Sequence, residues 1–414
     1  MNIFAIPSWY PNDTNPIYGI FIKEQIEALA RNHPSANFGV SLWGQGQESN
    51  LLWVKHHVKN LYKIVSFNKQ KSSHTLIKPN LFSYYDPALI WSRKYRSGNR
   101  EGIISSNKRN LRHFESQFGK PSLIHAQAVY PAGYIAQALS EQFKIPYIIT
   151  ARMSPFPFDE FLDTNENPKP IIKKPLDGAT RIIAISHSLE KRMNILGFNQ
   201  TEVIHNLADE KFFESVPVKT SNTFTFLTSG RIVEQKGIDI LLKSVSTLLS
   251  THNSVKIKIA GKGPEKQKLL KLAAALNLHE DIEWLGELTR QQTKNYINQC
   301  DCFILASRHE TFGNVLTEAI ACGKPIIATT CGGPEDIVNE TNGLLAKVNN
   351  PEDLAQKMLQ MINNYDQYDP QKIRDDFEKR FSSKVITPKI IGLYKEVIAE
   401  HQQKVSGKNR LDHL

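Results

Sequence analysis

The sequence has no run of about 18 or more apolar residues, the length that a membrane-spanning helix needs, so no spanning helix is predicted. Cysteine is scarce, and the four cysteines, at 300, 302, 322 and 331, all lie in one half of the chain. They have no matching Cys or His pair at a metal-ligand spacing, so we expect reduced thiols in the core. Residues 1–7 lack the basic flank and long apolar stretch of a signal peptide, which favours a first buried strand in a cytoplasmic protein.

The length and composition describe a globular protein with two domains. A chain of 414 residues is too long for one ordinary core, and two domains of about 200 residues each are expected. Hydrophobic residues make up 40% and charged residues 22%, as in soluble globular proteins. Residues 216–222 are typical of a linker, so we place an N-terminal domain at 1–215 and a second domain at 216–381.

Apolar strand patterns alternate with helical patterns, which predicts an α/β fold with parallel sheets built from βαβ units. The predicted strands are 2–6, 37–42, 122–125, 146–150, 181–185, 202–204, 223–228, 255–260, 282–285, 302–306, 325–328 and 343–346. The predicted helices are 19–31, 103–117, 132–143, 186–196, 238–250, 264–277, 290–298, 314–322, 351–363 and 369–380, with a final helix after 382 that is kinked or restarted at Pro388.

Positive charge is concentrated in residues 51–120, which hold 14 Lys and Arg against three acids, while the whole chain has a net charge of +10. The same residues contain ten aromatic side chains: Trp53, Tyr62, Phe67, Phe82, Tyr84, Tyr85, Trp91, Tyr95, Phe114 and Phe118. Basic residues among aromatics can bind nucleic acid, an anionic lipid surface or an acidic glycan. No nucleic-acid motif accompanies them, and an irregular solvated surface with some core aromatics is the alternative.

Two glutamates, Glu310 and Glu318, lie within the most informative stretch, residues 307–333. Glu310 follows a buried strand, and Asn314 is placed to cap a helix that has an apolar face and carries Glu318. A helix N-terminus binds anions, and carboxylates accept hydrogen bonds from hydroxyls. Phosphate together with a polyol describes a nucleotide sugar, although Glu318 can also be an ordinary solvated helix residue.

This order of strand, Glu310, Phe312-Gly313, helix, Glu318 and Gly332-Gly333 resembles the donor site of the retaining family 4 glycosyltransferases. The resemblance implies a GT-B fold: two facing Rossmann-like domains, with a C-terminal crossover helix (382–414) returning to the first. It also implies that Glu318 holds the ribose hydroxyls and that Glu310 contacts the transferred sugar. Gly313, Asn314 and Val315 would line the donor pocket with Phe312.

A second donor element is the pattern Gly230-Arg231 followed by Lys236-Gly237, after an apolar strand. Cations at the carboxyl edge of a parallel sheet favour the charge that develops on a departing diphosphate. In the family this pattern contacts the donor diphosphate. Gly261 would form part of the pocket wall, or only a tight turn; Arg308 either lines the pocket or is a surface charge.

The N-terminal half carries weaker signals. Gly19 precedes a helix, so its backbone could approach a phosphate, or it is a simple turn glycine. His125 lies on a strand resembling the one that delivers active-site histidines in the family, but a satisfied buried histidine is the alternative. Gln127 and Arg152 stand where relatives often have histidines. Arginine cannot act as a general base, but it can bind a carboxylate or phosphate, or it can indicate altered activity.

The resemblance, together with these patterns, implies a cytoplasmic retaining glycosyltransferase that uses a nucleotide-sugar donor and a hydroxyl acceptor on a glycan or lipid-linked intermediate. An anionic membrane surface is a further expected partner, and nucleic acid is disfavoured. The sequence has no Asp-x-Asp motif, so no metal or other cofactor is expected. A nucleotide-sugar epimerase of the same fold and a catalytically weakened sugar-nucleotide-binding subunit remain alternatives.

Overall fold

The computed structural model describes residues 1–47, 50–52, 57–91, 99–216, 223–250, 252 and 255–411. They form two compact units. The first comprises Met1–Ala184, Glu190–Ile204 and Thr387–Leu414, and the second comprises Ile185–Leu189 and His205–Ile386.

The division between the units differs from the sequence-based boundaries at 215/216 and 381/382. It falls after Ile204 and after Ile386. Residues just after 204 belong to the second unit because their side chains pack there: the His205 ring stacks on Phe312 at 5.7 Å. The end of the second unit is held in the same way, since Glu210 accepts hydrogen bonds from the backbone and hydroxyl of Ser383. Of the predicted linker, 217–222 lies outside the described residues.

The first unit is built on a sheet with the strand order β10-β9-β8-β7-β1-β2-β5-β4. Its strands are β1 (Asn2–Pro7), β2 (Asn37–Leu42), β3 (Leu51–Leu52), β4 (Ser73–Lys78), β5 (Leu81–Tyr85), β6 (Ile90–Trp91), β7 (Leu123–Gln127), β8 (Tyr147–Ala151), β9 (Arg181–Ala184) and β10 (Thr201–Val203), of which β3 and β6 form a separate pair. Its helices are α1 (Ile20–Asn32), α2 (His57–Phe67), α3 (Arg100–Phe118), α4 (Tyr134–Phe143), α5 (Pro170–Gly178) and α6 (His187–Ile195), with the first residues of α6 in the second unit.

The prediction of purely parallel sheets is wrong at one edge, because β4 pairs antiparallel to β5. The sequence reading missed both strands, and it also missed α2 and α5. β4 is mostly exposed, so it has no alternation of buried and polar residues to reveal it. α5 contains Pro175, and proline inside a helical pattern argues against a helix.

The second unit has a parallel sheet with the order β13-β12-β11-β14-β15-β16. Its strands are β11 (Phe224–Ser229), β12 (Val255–Ala260), β13 (Ile282–Gly286), β14 (Cys302–Leu305), β15 (Ile326–Thr329) and β16 (Gly343–Ala346). Its helices are α7 (Ile238–Leu249), α8 (Lys266–Ala275), α9 (Arg290–Gln299), α10 (Asn314–Ala321), α11 (Pro351–Asn363) and α12 (Pro370–Phe381), and α13 (Ser383–Leu411) begins within it.

The core of the second unit explains why its strands and helices could be predicted from the sequence. The apolar side chains of β11, β12 and β14 pack against α7 and α11 in one continuous cluster. Burial of both faces makes central parallel strands nearly continuous apolar runs, which are easy to recognise. All four cysteines are buried and unpaired by disulfides, as the sequence predicts.

The final helix, α13, runs without a new start through Pro388, so the predicted restart is wrong. Proline removes one backbone donor, yet the apolar side chains Ile390, Leu393, Tyr394 and Val397 that follow it are all buried. Packing of the helix therefore outweighs the loss of one hydrogen bond. Among the described residues, no helix combines the length and apolar character that crossing a membrane requires.

Candidate functional site

The strand order of the second unit creates a crevice between β11 and β14. The chain runs outward from β11 to β12 and β13, then returns with β14 on the other side of β11. Open α/β sheets bind ligands at the carboxyl ends of strands where the order reverses in this way. The loop that carries Arg231 and Lys236 follows β11, and the loop that carries Glu310 follows β14, so topology brings the two predicted motifs to one edge.

Glu310 is buried and fixed by three contacts. Its backbone forms an isolated parallel bridge with Gly332, and its Oε1 accepts a hydrogen bond from the Ser307 hydroxyl at 3.0 Å. The same oxygen forms an ion pair with the ammonium of Lys236. The sequence reading named both charged residues but did not foresee that they pair with each other. The pair holds an anion and a cation together at the mouth of the crevice.

The N-terminus of α10 opens into this loop. The predicted cap, Asn314, is wrong by one residue, because the cap is Gly313, whose φ of 99° is in the left-handed region that glycine tolerates. Among the residues that the structure describes, no side chain caps this end of the helix. The Asn314 side chain instead accepts a hydrogen bond from Asn206 at 2.9 Å. The Leu316 amide donates to the carbonyl oxygen of Gly313 at 2.9 Å, and the amides that precede it can donate to an anion or to solvent.

Glu318 lies farther along α10 and forms an ion pair with Arg290 at 3.2 Å. Burial raises the pKa of Glu318, and the charge and hydrogen bond of Arg290 oppose that rise. Arg290 also lies over the rings of Phe212 and Phe213, 5.1 and 4.6 Å from their centroids. The sequence reading missed Arg290, since it begins a separate helix and has no motif of its own. Glu318 is therefore a positioned carboxylate and not a solvated one.

Two other predicted donor residues have structural roles in this unit. Phe312 is buried between the rings of His205 and Phe381, and this packing stabilises the loop that follows β14. Arg308 forms a bidentate ion pair with Asp239, with hydrogen bonds of 2.9 and 2.7 Å, a role that differs from both the pocket-lining residue and the surface charge considered from the sequence. The neighbouring carboxylate also raises the pKa of Arg308.

The remaining predicted residues of this unit surround the crevice. Arg231 is exposed at the end of β11, and Val315 is half-buried in the first turn of α10. Gly261 has a φ of 135°, and a Cβ there would lie 1.8 Å from the carbonyl oxygen of Gly230. Glycine at 261 is thus required for the loops after β11 and β12 to approach each other. That contact fixes the loop from which Arg231 projects.

In the first unit, the predicted glycine and histidine have clear structural explanations. Gly19 is the N-cap of α1, with a φ of 71°, and a Cβ there would lie 2.5 Å from the carbonyl oxygen of Trp9.

The His125 ring is fully buried, with Nδ1 2.6 Å from the Tyr394 hydroxyl and Nε2 2.7 Å from the Thr150 hydroxyl. Burial and the charge of Arg152 lower the pKa of His125 to about 3. The alternative of a satisfied buried histidine is therefore the one that the structure favours.

Arg152, which was predicted to be catalytic, belongs to the same buried network. Its Nε donates to Gln127 at 3.2 Å, and its Nη2 donates to Gln25 at 2.7 Å. The guanidinium also lies 5.4 Å from the centroid of the Phe21 ring. Burial lowers the pKa of Arg152 to about 9. The two departures from the family pattern, Gln127 and Arg152, are thus partners of each other.

The basic and aromatic segment 51–120 is only in part a surface. Tyr84 and Phe114 are buried core residues whose rings meet edge to face at 5.9 Å, as the alternative with some core aromatics expects. Helix α2 belongs to the exposed part of the segment, and its side chains Leu61, Tyr62 and Val65 are 64%, 76% and 54% exposed. Trp53, Arg93, Lys94, Tyr95 and Arg96 lie outside the described residues.

Comparison with known proteins identifies the class of this chain. Residues 209–380 match the family described as glycosyl transferases group 1, and residues 117–186 match the family described as glycosyl transferase 4-like. The chain belongs to this group of glycosyltransferases and has their α/β GT-B fold, so the fold and family expected from the sequence are confirmed.

Individual relatives agree with that assignment. The chain is 30% identical over 245 residues to an uncharacterized glycosyltransferase of Methanocaldococcus jannaschii, a match that spans 58% of the chain and 66% of the relative. It is 25% identical to a candidate teichuronic acid biosynthesis glycosyltransferase of Bacillus subtilis, over 88% of the chain and 89% of the relative. Its fold is similar to that of Anabaena HepE in complex with UDP-glucose, with a TM-score of 0.66 and 16% identity over 96% of the chain and 100% of the neighbour.

Proposed function

We propose that the chain transfers a sugar from a nucleoside-diphosphate sugar to a hydroxyl acceptor, with retention of configuration and without a metal ion in the reaction. The observation that carries this proposal is the meeting of three features in the β11–β14 crevice: the uncapped N-terminus of α10, the Lys236 ammonium and the Glu310 carboxylate. Breaking a bond to a diphosphate releases negative charge, and preorganised cations and amides stabilise that charge in the transition state.

Each charged group then has a role. The α10 amides, Arg231 and Lys236 bind the diphosphate and stabilise it as it departs. Glu310 accepts hydrogen bonds from hydroxyls of the transferred sugar, and Glu318 accepts them from the ribose. Gly19 is the proposed donor contact of the first unit, where only its backbone can approach a phosphate.

The donor class is supported by the similarity to HepE, which is described in complex with UDP-glucose. The test is a thermal-shift screen of the full chain against UDP-, GDP- and ADP-sugars. A ligand that binds only the folded state raises the melting temperature. A larger rise with the nucleotide sugars of one base than with those of the others would therefore identify the base of the donor. No shift with any of the three nucleotide sugars would contradict the proposal.

Arg152 remains the proposed contact for a carboxylate or phosphate on the donor or acceptor. Gln25 and Gln127 hold the guanidinium in a fixed orientation. The same buried network is what favours the second candidate, a sugar-nucleotide-binding subunit with weakened catalysis. Tight donor binding without turnover would favour that candidate, and epimerisation or hydrolysis without acceptor would favour an epimerase.

Metal independence and retention give one prediction. Transfer is expected to continue at the full rate in excess chelator, since the diphosphate charge is met by Arg231, Lys236 and helix amides. The anomeric configuration of the product, measured by NMR, is expected to match that of the donor. An inverted product would contradict the retaining mechanism, and loss of activity in chelator that added Mg²⁺ restores would contradict metal independence.

We also propose that the enzyme binds an anionic membrane face and acts there on a lipid-linked or cell-surface glycan intermediate. The feature that supports this is α2, which exposes Leu61, Tyr62 and Val65 beside the exposed basic residue Lys59. A helix that combines exposed apolar residues with basic ones can lie in the interface of a bilayer. Anionic lipid adds about 1 kcal/mol for each Lys or Arg near the surface.

Liposome co-sedimentation tests this membrane proposal. Binding is expected to require anionic lipid, to weaken with salt and to fall when Arg93, Lys94 and Arg96 are changed to glutamate. The double variant L61S/V65S should lose binding as well, because it removes apolar contact without changing charge. The matched control is I195S, since Ile195 is also exposed, at 67%, but lies on α6. Equal binding to neutral vesicles, or none to either kind, would leave α2 an ordinary surface.

A further inference from the structure

A cluster of two histidines and one aspartate lies within the second unit and includes none of the charged residues assigned to the donor. We call His187, His205 and Asp336 the His–His–Asp cluster. His187 begins α6, His205 follows β10, and Asp336 ends a short 3-10 helix, Gly333–Asp336. The cluster thus joins three segments that are distant in sequence.

The ligand-type atoms of the cluster converge on one oxygen. His187 Nδ1 and His205 Nε2 each lie 3.1 Å from Oδ2 of Asp336, and the ligand atoms of all three residues lie within 4.8 Å of one another. A tetrahedral zinc ion binds His nitrogen at about 2.0–2.1 Å and carboxylate oxygen at about 2.0–2.2 Å, so its neighbouring ligand atoms are roughly 3.3–3.5 Å apart. The two distances from Asp336 Oδ2 to the imidazole nitrogens therefore need only a small increase to match those around a bound ion.

We propose that the His–His–Asp cluster is a binding site for a divalent first-row transition-metal ion of the Zn²⁺ type. Two imidazoles and a carboxylate are a ligand set that suits Zn²⁺. The His187 side chain is 67% exposed, whereas those of His205 and Asp336 are 19% and 11% exposed. The site therefore opens to solvent on the His187 side, where water takes the fourth coordination position.

The surroundings hold two of the ligands in place. The His205 ring stacks on Phe312 and meets Phe381 edge to face at 5.5 Å, which fixes its orientation. The backbone carbonyl of Asp336 accepts a hydrogen bond from Arg380, and its Oδ2 accepts one from the His187 amide at 2.8 Å. Supporting contacts of this kind orient metal ligands and add to affinity.

A bound ion would cross-link the start of α6, the segment after β10 and the 3-10 helix. His205 packs on Phe312, and its neighbour Asn206 donates to Asn314, so the cross-link lies directly behind the donor loop. Its role is to stabilise that loop. The ion takes no part in transfer, and the inference does not depend on the proposed function.

Isothermal titration calorimetry with Zn²⁺ alone, on the full chain after chelator treatment, tests the site. We expect one equivalent to bind, and Co²⁺ to give the intense visible absorption of tetrahedral coordination. H187Q, H205Q and D336N each remove a ligand and should weaken Zn²⁺ binding by more than the roughly 10–100-fold that loss of a supporting residue costs. D336N keeps the shape of the side chain and its acceptor for the His187 amide, so folding should survive.

The matched control is H279Q. His279 lies in the same unit, is 72% exposed and also contacts a carboxylate, that of Glu280, at 3.6 Å, but it has no second histidine in its group. Its replacement should leave Zn²⁺ affinity unchanged. Unchanged Zn²⁺ binding in H187Q and D336N, absence of a tetrahedral Co²⁺ spectrum, or equal loss in H279Q would each show that the cluster is only a set of hydrogen bonds to Asp336.

Discussion

Glu310→Gln is expected to lower the turnover of sugar transfer by about 10²–10³, the usual cost of removing one preorganised electrostatic group from an active site. Glutamine keeps the shape of the side chain, and its amide oxygen can still accept a hydrogen bond from Ser307, so the protein should fold. It loses the negative charge that pairs with Lys236 and that we propose positions the transferred sugar. Initial rates at saturating donor, with melting temperature measured alongside, check this expectation.

The control for Glu310 is Glu283→Gln. Glu283 also pairs with a lysine, Lys258, at 3.3 Å, but on neighbouring strands β12 and β13 outside the crevice. If the loss of any Lys–Glu pair reduced activity, the turnover of Glu310→Gln and of Glu283→Gln would fall by the same factor. Glu318→Gln should also lower the rate, because Glu318 is held by Arg290 and is the proposed acceptor for the ribose hydroxyls. Near wild-type turnover in both Glu310→Gln and Glu318→Gln would refute the roles assigned to the two glutamates.

Lys236→Ala is expected to weaken the binding of the nucleoside diphosphate by roughly tenfold or more. A hydrogen bond to a charged group contributes about 1.5–3 kcal/mol, and 1.4 kcal/mol corresponds to a factor of ten in affinity. The loss should be larger for the diphosphate than for the nucleoside alone, since the ammonium is assigned to phosphate. Calorimetric titration of the folded variant measures it.

Lys258→Ala serves as the matched control for Lys236, because it removes a lysine from the Lys258–Glu283 pair and leaves the crevice intact. The structure adds one expectation that the sequence could not. Lys236 and Glu310 share an ion pair. The changes in affinity for the nucleoside diphosphate caused by Lys236→Ala and Glu310→Gln should therefore not be additive in the double variant. Additive effects would mean that the pair does not act as a unit, and unchanged affinity in Lys236→Ala would remove that residue from the site.

Local patterns in the sequence were sufficient to predict most strands and helices of the second unit. Its strands are buried on both faces and its helices have apolar stripes, so periodicity and length revealed them. The elements β4 and α2 of the first unit were not predicted, because β4 is exposed and α2 presents apolar side chains to solvent. Patterns that depend on burial cannot reveal elements that are not buried.

The sequence by itself determined the fold class and the family. It also singled out Glu310, Glu318, Arg231 and Lys236 as candidate donor residues, because each belongs to a motif whose members are close along the chain. Only the tertiary structure decided which charges meet. It paired Lys236 with Glu310 and Arg290 with Glu318, and it buried His125 in a hydrogen-bonded network with Tyr394. It also brought His187, His205 and Asp336 together. The physical reason is that these contacts join residues from separate strands and helices, and their distances depend on sheet order and packing, which no local pattern encodes.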